Sequence, residues 1–393
     1  MPSLDLGLRL GYKSGMQTSF SCGYASLCGG CDLISKPYDT QVSMKTEALR
    51  SAWLKALPEG PALPEVNWIK VAEGGLRDRV DLMIDQRSGS YKLGLFDSAR
   101  TGLVDLENCP QLSPELEAWL SDFRKLQIPV QRGSVRLRVS PKGLRGVWLD
   151  LANVDVKMLL DERTTLDQLR SQAIVEIGQR RKRLVERDGQ LKLADPQMEP
   201  WFETYTDQGV VPLYCAIGSF TQTGFRANRA LVDEVRRLVR KTGARTAREF
   251  GSGIGNFTFP LASVCEKTRV FEVDGLALEG LRRSSHDGGF DERIEINEGN
   301  YQVARKTPVS FEGTDLVLVD PPRSGLQQFL TPLEALAQDQ RPKHFIYISC
   351  FAESFALDAA KLVQMGFELR ETSIVDQFPQ SRHFEIVASF TRA

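Results

Sequence analysis

Hydrophobic positions follow three different periods along this chain. Between about residues 68 and 151 apolar and polar residues alternate, with Val135, Leu137 and Val139 interleaved with Arg136 and Arg138. A period of two marks a half-buried strand. With a turn at Pro141-Lys142-Gly143 and a second apolar run over 147–151, the region is predicted to be an antiparallel sheet with one basic face. Leu166, Leu169, Ala173, Ile177 and Leu184 then recur at helical spacing, which predicts a helix carrying the run Arg180-Arg181-Lys182-Arg183. After about residue 211 strand and helix alternate. A helix is predicted over 228–241, strands over 246–250, 269–273, 316–319 and 345–348, and further helical stretches over 257–267 and 276–286. That alternation predicts an α/β protein whose C-terminal part is a doubly wound, Rossmann-like sheet.

Three parts are therefore expected: a cysteine-rich segment over 1–45, a β-rich α+β domain over 46–210, and the doubly wound domain over 211–393. At 393 residues and 41% hydrophobic composition the chain can bury two or three cores. No run approaches the roughly 20 apolar residues of a membrane span, and the start lacks a basic stretch followed by an apolar core. A cytoplasmic protein, without a membrane partner and monomeric, is expected. Fifty basic residues face 51 acidic ones, so binding to a polyanion has to come from local patches. Arg77, Arg79, Arg132, Lys142 and Arg145 extend the expected basic surface, which suits phosphate contacts or an ordinary solvated face.

Seven cysteines in a reducing compartment do not read as a disulfide framework. Cys22, Cys28 and Cys31 form C-x5-C-x2-C in a glycine-rich stretch, and Cys109 stands alone downstream. Three close thiolates and a remote fourth fit an iron-sulfur cluster of the 4Fe-4S kind; zinc held by four cysteines is the alternative. The first gap is five residues, not the three of radical enzymes, so a structural staple is the expected role.

The turn Gly251-Ser252-Gly253-Ile254-Gly255 directly follows a predicted strand, where missing side chains let a ligand approach the backbone. Glu272 ends the next strand, about 20 residues on, where a carboxylate can take a ribose diol. A dinucleotide would satisfy that pattern too. The Gly-x-Gly-x-Gly spacing and Asp320-Pro321-Pro322-Arg323 after a later strand favour S-adenosylmethionine (AdoMet).

Cys350 ends another strand, and Glu385 closes the run Asp376-Gln377-Phe378-Pro379-Gln380-Ser381-Arg382-His383-Phe384-Glu385. A thiolate adding at C6 of uracil pushes electron density onto C5, and a carboxylate can then remove the C5 proton. Cys350 and Glu385 suit those roles, and Asp320 can hydrogen-bond the uracil edge or the ligand's amino group. Cys215 and Cys265 read as buried small hydrophobes, and His383 as a hydrogen-bonding support.

From Cys22 through Asn108-Cys109-Pro110, Phe220-Thr221-Gln222 and the glycine turn to Glu385, the chain resembles the RNA 5-methyluridine methyltransferases. It is most similar to the branch with an iron-sulfur cluster that methylates 23S ribosomal RNA. The resemblance implies AdoMet held by residues matching Gln222, Phe250, Glu272 and Asp320, a nucleophile at Cys350 and a proton acceptor at Glu385. It also implies RNA as partner, 23S ribosomal RNA first and transfer RNA second, with a silent RNA-binding or ribosome-assembly protein as the rival from another class. An amino-group methyltransferase is a further rival, against which Arg323 and the pair Cys350 and Glu385 argue. Three positions depart from the family pattern: Ser252 replaces Cys, Phe351 replaces Asn and Gly224 replaces Asn. Only 21 residues precede Cys22, so the oligonucleotide-binding barrel of many relatives is expected to be missing.

Overall fold

The computed structural model describes residues 20–150, 156–178, 181–299, 311–326 and 329–392. Arg180 and the segment before Phe20, on which the expected lack of a barrel rests, lie outside the described residues. The described chain opens with α1 (Tyr38–Ala56) and β1 (Val66–Ile69). A first sheet follows, built from β2 (Arg79–Asp85), β3 (Lys92–Phe96), β4 (Leu103–Asp105), β5 (Arg132–Val139), β6 (Arg145–Asp150), β7 (Ile174–Ile177), β8 (Lys182–Arg187) and β9 (Gln190–Ala194). Its order is β4-β3-β2-β5-β6-β7-β8-β9, antiparallel except where β6 meets β7. α2 (Pro114–Leu126) lies against it, with α3 (Val156–Asp161) and α4 (Arg163–Gln172) nearby. Ser113 caps α2, and the helix buries Leu116, Trp119, Leu120 and Phe123 completely, each contributing about 2 kcal/mol by removal from water.

A hairpin of β10 (Glu199–Thr206) and β11 (Gly209–Cys215) leads into the second large sheet. That region comprises α5 (Phe225–Thr242), β12 (Thr246–Phe250), α6 (Thr258–Val264), β13 (Lys267–Glu272), α7 (Gly275–Gly288), β14 (Ile294–Glu298) and β15 (Leu316–Val319). It ends with α8 (Leu330–Glu334), β16 (His344–Ser349), α9 (Ala352–Gln364), β17 (Phe367–Val375) and β18 (Glu385–Arg392). The sheet order is β1-β17-β18-β16-β15-β12-β13-β14. All neighbours are parallel except β18, which runs against both β16 and β17. β15 and β16 are buried at every position, as expected of parallel strands covered on both faces. The expected α/β architecture, with a β-rich part ahead of a doubly wound part, is the one observed.

Three expectations are corrected. The helix expected to run to Leu184 stops at Gln172, and Ile177 and Leu184 lie on β7 and β8. The β-branched Ile174, Val175 and Ile177 pack as a strand beside β6, so tertiary pairing overrides the local spacing. The expected limit at residue 45 falls inside α1, which packs on α9, and β1 joins the second sheet beside β17. The basic face is largely turned inward. Arg138 is 1% exposed and reaches the Ile217 carbonyl at 3.2 Å and Thr221 Oγ1 at 3.2 Å. Arg136 bonds the Gly218 carbonyl and Arg79 the Thr221 carbonyl, so these cations clamp the segment between the two sheets. Of the basic run, Arg181 pairs with Asp274, Lys182 with Asp195 and Arg183 with Glu199. Among the described residues no helix is long and apolar enough to cross a membrane.

Candidate active site

The carboxyl ends of β12, β13, β15 and β16 share one edge of the second sheet, and the reversed strand β18 begins there. The register Ser349↔Ile386 brings Glu385, the first residue of β18, level with Cys350, the residue just past β16. Asp320 follows β15 next to them. Burial and the charges of Glu385 and Asp320 push the Cys350 thiol up, while a hydrogen bond and the charge of Arg323 pull it down. Burial pushes Asp320 up to about 7. Burial, then the Asp320 charge, holds Glu385 well above the usual carboxylate range, with Arg323 opposing. A thiol, two carboxyls of raised pKa and one cation thus meet at one sheet edge.

Arg323 Nη2 also lies 3.5 Å from His383 Nδ1, and burial followed by the Arg323 charge lowers that imidazole's pKa. The loop between β17 and β18 is pinned by α1. Asp376 accepts from Lys45 Nζ at 2.7 Å and Tyr38 Oη at 2.9 Å, and Gln41 exchanges two bonds with Gln380.

The glycine turn adopts left-handed backbone at Gly251 (φ +76°), Gly253 (φ +54°) and Gly255 (φ +100°), which side chains disfavour. A Cβ on Gly255 would meet Leu281 Cδ1 at 2.6 Å and Phe259 Cε2 at 2.7 Å, whereas nothing lies within 4 Å of one on Gly253. The Glu272 carboxylate accepts from the Gly253, Val273 and Asp274 amides at 2.8, 2.6 and 2.9 Å. Among the described residues the buried Ser252 hydroxyl has no hydrogen-bond partner. An open glycine backbone, a carboxylate at the next strand end and an unmet hydroxyl fit a nucleoside-bearing ligand such as AdoMet.

Gln222 sits close to the loop between β17 and β18, with its Oε1 accepting from Gln377 Nε2 at 3.2 Å. Phe250 does not present its ring to this edge. It is 1% exposed and stacked on Phe271 with centroids 4.9 Å apart, so its ring supports the turn from within the core. Gly224 is dictated by packing: a Cβ there would lie 1.8 Å from the Leu76 carbonyl oxygen. Phe351 remains exposed beside Cys350.

Sequence reasoning missed Glu249. This carboxyl is 2% exposed, accepts from Thr258 Oγ1 at 2.5 Å, and is pushed up to about 8 by burial, with Asp320 and Glu272 adding to the rise. An acidic residue on the predicted strand directly ahead of the glycine turn was its signal.

Cys22, Cys28, Cys31 and Cys109 line one cavity of about 300 Å³, together with Phe20, Tyr24 and other residues. Burial, then the charges of the other three cysteines partly offset by Arg77, pushes the Cys31 thiol up to about 12. Four thiols that oppose one another's ionisation around a shared space suit a positively charged guest bound through sulfur. Among the described residues no three ligand side chains converge tightly enough to grip a single ion.

The family model for tRNA (uracil-5-)-methyltransferases matches residues 307–392, the stretch holding Asp320, Cys350 and Glu385. An uncharacterized RNA methyltransferase of Bdellovibrio bacteriovorus is 43% identical over 380 residues, covering 95% of this chain and 96% of the relative. The 23S rRNA (uracil(1939)-C(5))-methyltransferase RlmD of Shewanella halifaxensis is 24% identical, covering 98% of this chain and 84% of its own length. In fold the chain is similar to the Pyrococcus abyssi tRNA (uracil-54, C5)-methyltransferase, solved with S-adenosyl-L-homocysteine. That likeness has a TM-score of 0.65 at 23% identity and covers 93% of this chain and 86% of the other. Together with the geometry of the sheet edge, these likenesses mean that the chain belongs to the tRNA (uracil-5-)-methyltransferase family and is an AdoMet-dependent RNA (uracil-C5)-methyltransferase.

Proposed function

We propose that the enzyme forms 5-methyluridine in 23S ribosomal RNA, with Cys350 as nucleophile and Glu385 as proton acceptor. The observation that carries this reading is the β16–β18 register, which brings thiol and carboxylate to one edge. The Cys350 thiolate adds to C6 of a uracil flipped out of its stack, and C5 becomes nucleophilic. AdoMet, when bound, supplies the electrophilic methyl group. Glu385 then takes the C5 proton, and the electrons left behind re-form the C5–C6 double bond and expel the thiolate. A carboxylate held well above its usual pKa is a better base for that proton. Arg323 stabilises the thiolate before attack and after release. Asp320, holding its proton up to about pH 7, suits donation to the uracil edge.

Gln222, Phe250, Gly251, Gly253, Glu272 and Asp320 would hold AdoMet, with the Glu272 carboxylate toward its ribose. Cys22, Cys28, Cys31 and Cys109 would hold a 4Fe-4S cluster, since a four-thiol cavity suits a polynuclear guest better than one ion. RNA would approach along a cavity of about 1010 Å³ whose lining includes Arg100, Arg323 and Arg382, cations suited to phosphate. The protein would act as a cytoplasmic monomer.

Ribosomal RNA is favoured because the RlmD relatives align over nearly the whole chain. Transfer RNA is the second reading, supported by the likeness in fold to the archaeal tRNA enzyme. Methyl incorporation from labelled AdoMet into purified 23S RNA and into tRNA, with the wild type and Cys350→Ala, decides between them. Label in 23S RNA that disappears with Cys350→Ala is expected. Incorporation into tRNA alone would reverse the substrate, and full activity without the thiol would end the mechanism.

A further inference from the structure

The cysteine segment is bonded directly to the catalytic loop. Asp32, next to Cys31, accepts from the Arg382 amide through Oδ1 at 2.9 Å and from Arg382 Nε through Oδ2. One residue on, the Leu33 amide donates to the Gln380 carbonyl at 2.9 Å. Gln380 itself sits in left-handed backbone at φ +67°, a conformation that needs outside support in a residue with a side chain. Apart from the turn bonds of Ser381 to the Phe378 carbonyl, the hydrogen bonds that leave Ser381–Phe384 run, among the described residues, to Asp32 and Arg323. His383, next to Arg382, lines the cysteine cavity and also lies against Arg323, while Arg323 is near enough to Cys350 to pull its thiol's pKa down.

We infer that Asp32 is a positioning residue for methyl transfer, coupling the ordered cysteine segment through Arg382 and His383 to the Arg323 guanidinium beside Cys350. This rests on the thiol mechanism proposed above. The bond between Arg382 and Asp32 contributes little by itself, because Arg382 is 76% exposed. Its effect is geometric: it fixes the loop three residues before Glu385 begins β18. A loss of registration on the order of 1 Å at a reacting group can slow chemistry by up to about a hundredfold. The device gives a reason for a thiol-lined centre in an enzyme whose chemistry transfers no electron. A filled cysteine centre orders Cys31 and Asp32, and Asp32 orders the loop.

The full chain with its cysteine centre loaded is compared with Asp32→Asn, with Arg382→Gln and with the charge swap Asp32→Arg/Arg382→Asp. Iron and sulfide content per chain, AdoMet affinity, amide exchange of the Phe378–Phe384 segment and covalent capture of RNA containing 5-fluorouridine are measured. Both single variants are expected to keep their iron and their AdoMet affinity. Their loop amides should exchange faster, and capture should slow by about tenfold. The swap should recover part of the rate. Arg382→Gln breaks the bond from the catalytic side, so it remains informative if Asp32→Asn loses its iron. Wild-type loop exchange and wild-type capture in Arg382→Gln would overturn the inference, as would a swap no faster than either single variant. If the unaltered protein captures no fluorouridine RNA, the thiol mechanism itself falls, an outcome distinct from equal capture by all forms.

Discussion

Lys45 on α1 and Asp376 at the end of β17 form an ion pair of 2.7 Å whose two side chains are 1% and 0% exposed. The pair joins α1 to the first residue of the loop between β17 and β18, and Lys45 also donates to the Phe378 carbonyl at 3.0 Å. Removing one partner leaves a buried charge without compensation. Lys45→Met is expected to destabilise the protein by about 3 kcal/mol or more, and Lys45→Met/Asp376→Leu to recover much of that loss. Urea denaturation of the four forms tests the cycle. A double variant whose loss equals the sum of the losses of Lys45→Met and Asp376→Leu would show that the two charges are not coupled.

Arg323 is the cation that opposes the burial of Cys350 and the charges of Glu385 and Asp320. With Arg323→Gln the remaining influences all raise the thiol, so less thiolate exists at neutral pH. Alkylation of Cys350 by iodoacetamide, followed by mass spectrometry of its peptide, should slow by about tenfold for each unit of upward shift. An unchanged rate would mean that the guanidinium does not govern this thiol.

Much of the site was legible because it lies at strand ends. The segments that became β12 and β15 were read to the residue: β15 is apolar throughout, as a buried parallel strand should be, and β12 was marked by the glycine turn that follows it. The glycine turn and Glu272 followed from them. Long-range pairing was not legible. Nothing around Lys45 or Asp32 announces a partner more than 300 residues away, and Arg138 alternates like an outward residue while filling the space between two sheets. Phe250 was matched to the ligand by family likeness, and the packing of its ring on Phe271 was not legible in the sequence. Gly224 looked like a lost polar group. Its reason became visible only with the Leu76 backbone lying against it.

Restoring the family's asparagine at that position should therefore harm this chain. In Gly224→Asn the new Cβ would fall 1.8 Å from the Leu76 carbonyl oxygen, a backbone atom that cannot swing aside. Overpacking of this kind costs about 1–3 kcal/mol, and the shift would also disturb Asp78, which accepts from the Phe225 amide at 2.8 Å at the start of α5. A fall in unfolding free energy within that range, without gain in AdoMet affinity, is the expected result. A variant as stable as the parent would mean that the two segments separate easily.

Glu249 carries the clearest pH signature. Its carboxyl has an ordinary pKa of 4.5 and rises to about 8 in the fold, chiefly through burial. Between those two values the unfolded chain has released a proton that the folded chain still holds, so stability falls as pH rises through the window. Below it both states are protonated and the cost vanishes; above it the folded protein bears the full cost of a buried charge. Glu249→Gln keeps an acceptor for the Thr258 hydroxyl but cannot ionise. Unfolding free energies measured at about pH 5, 6.5 and 8 should therefore decline less steeply in Glu249→Gln than in the parent, with the variant more stable at the alkaline end. Parallel pH profiles for the two proteins would assign the decline to Asp320, the other acid at this edge that titrates near neutrality.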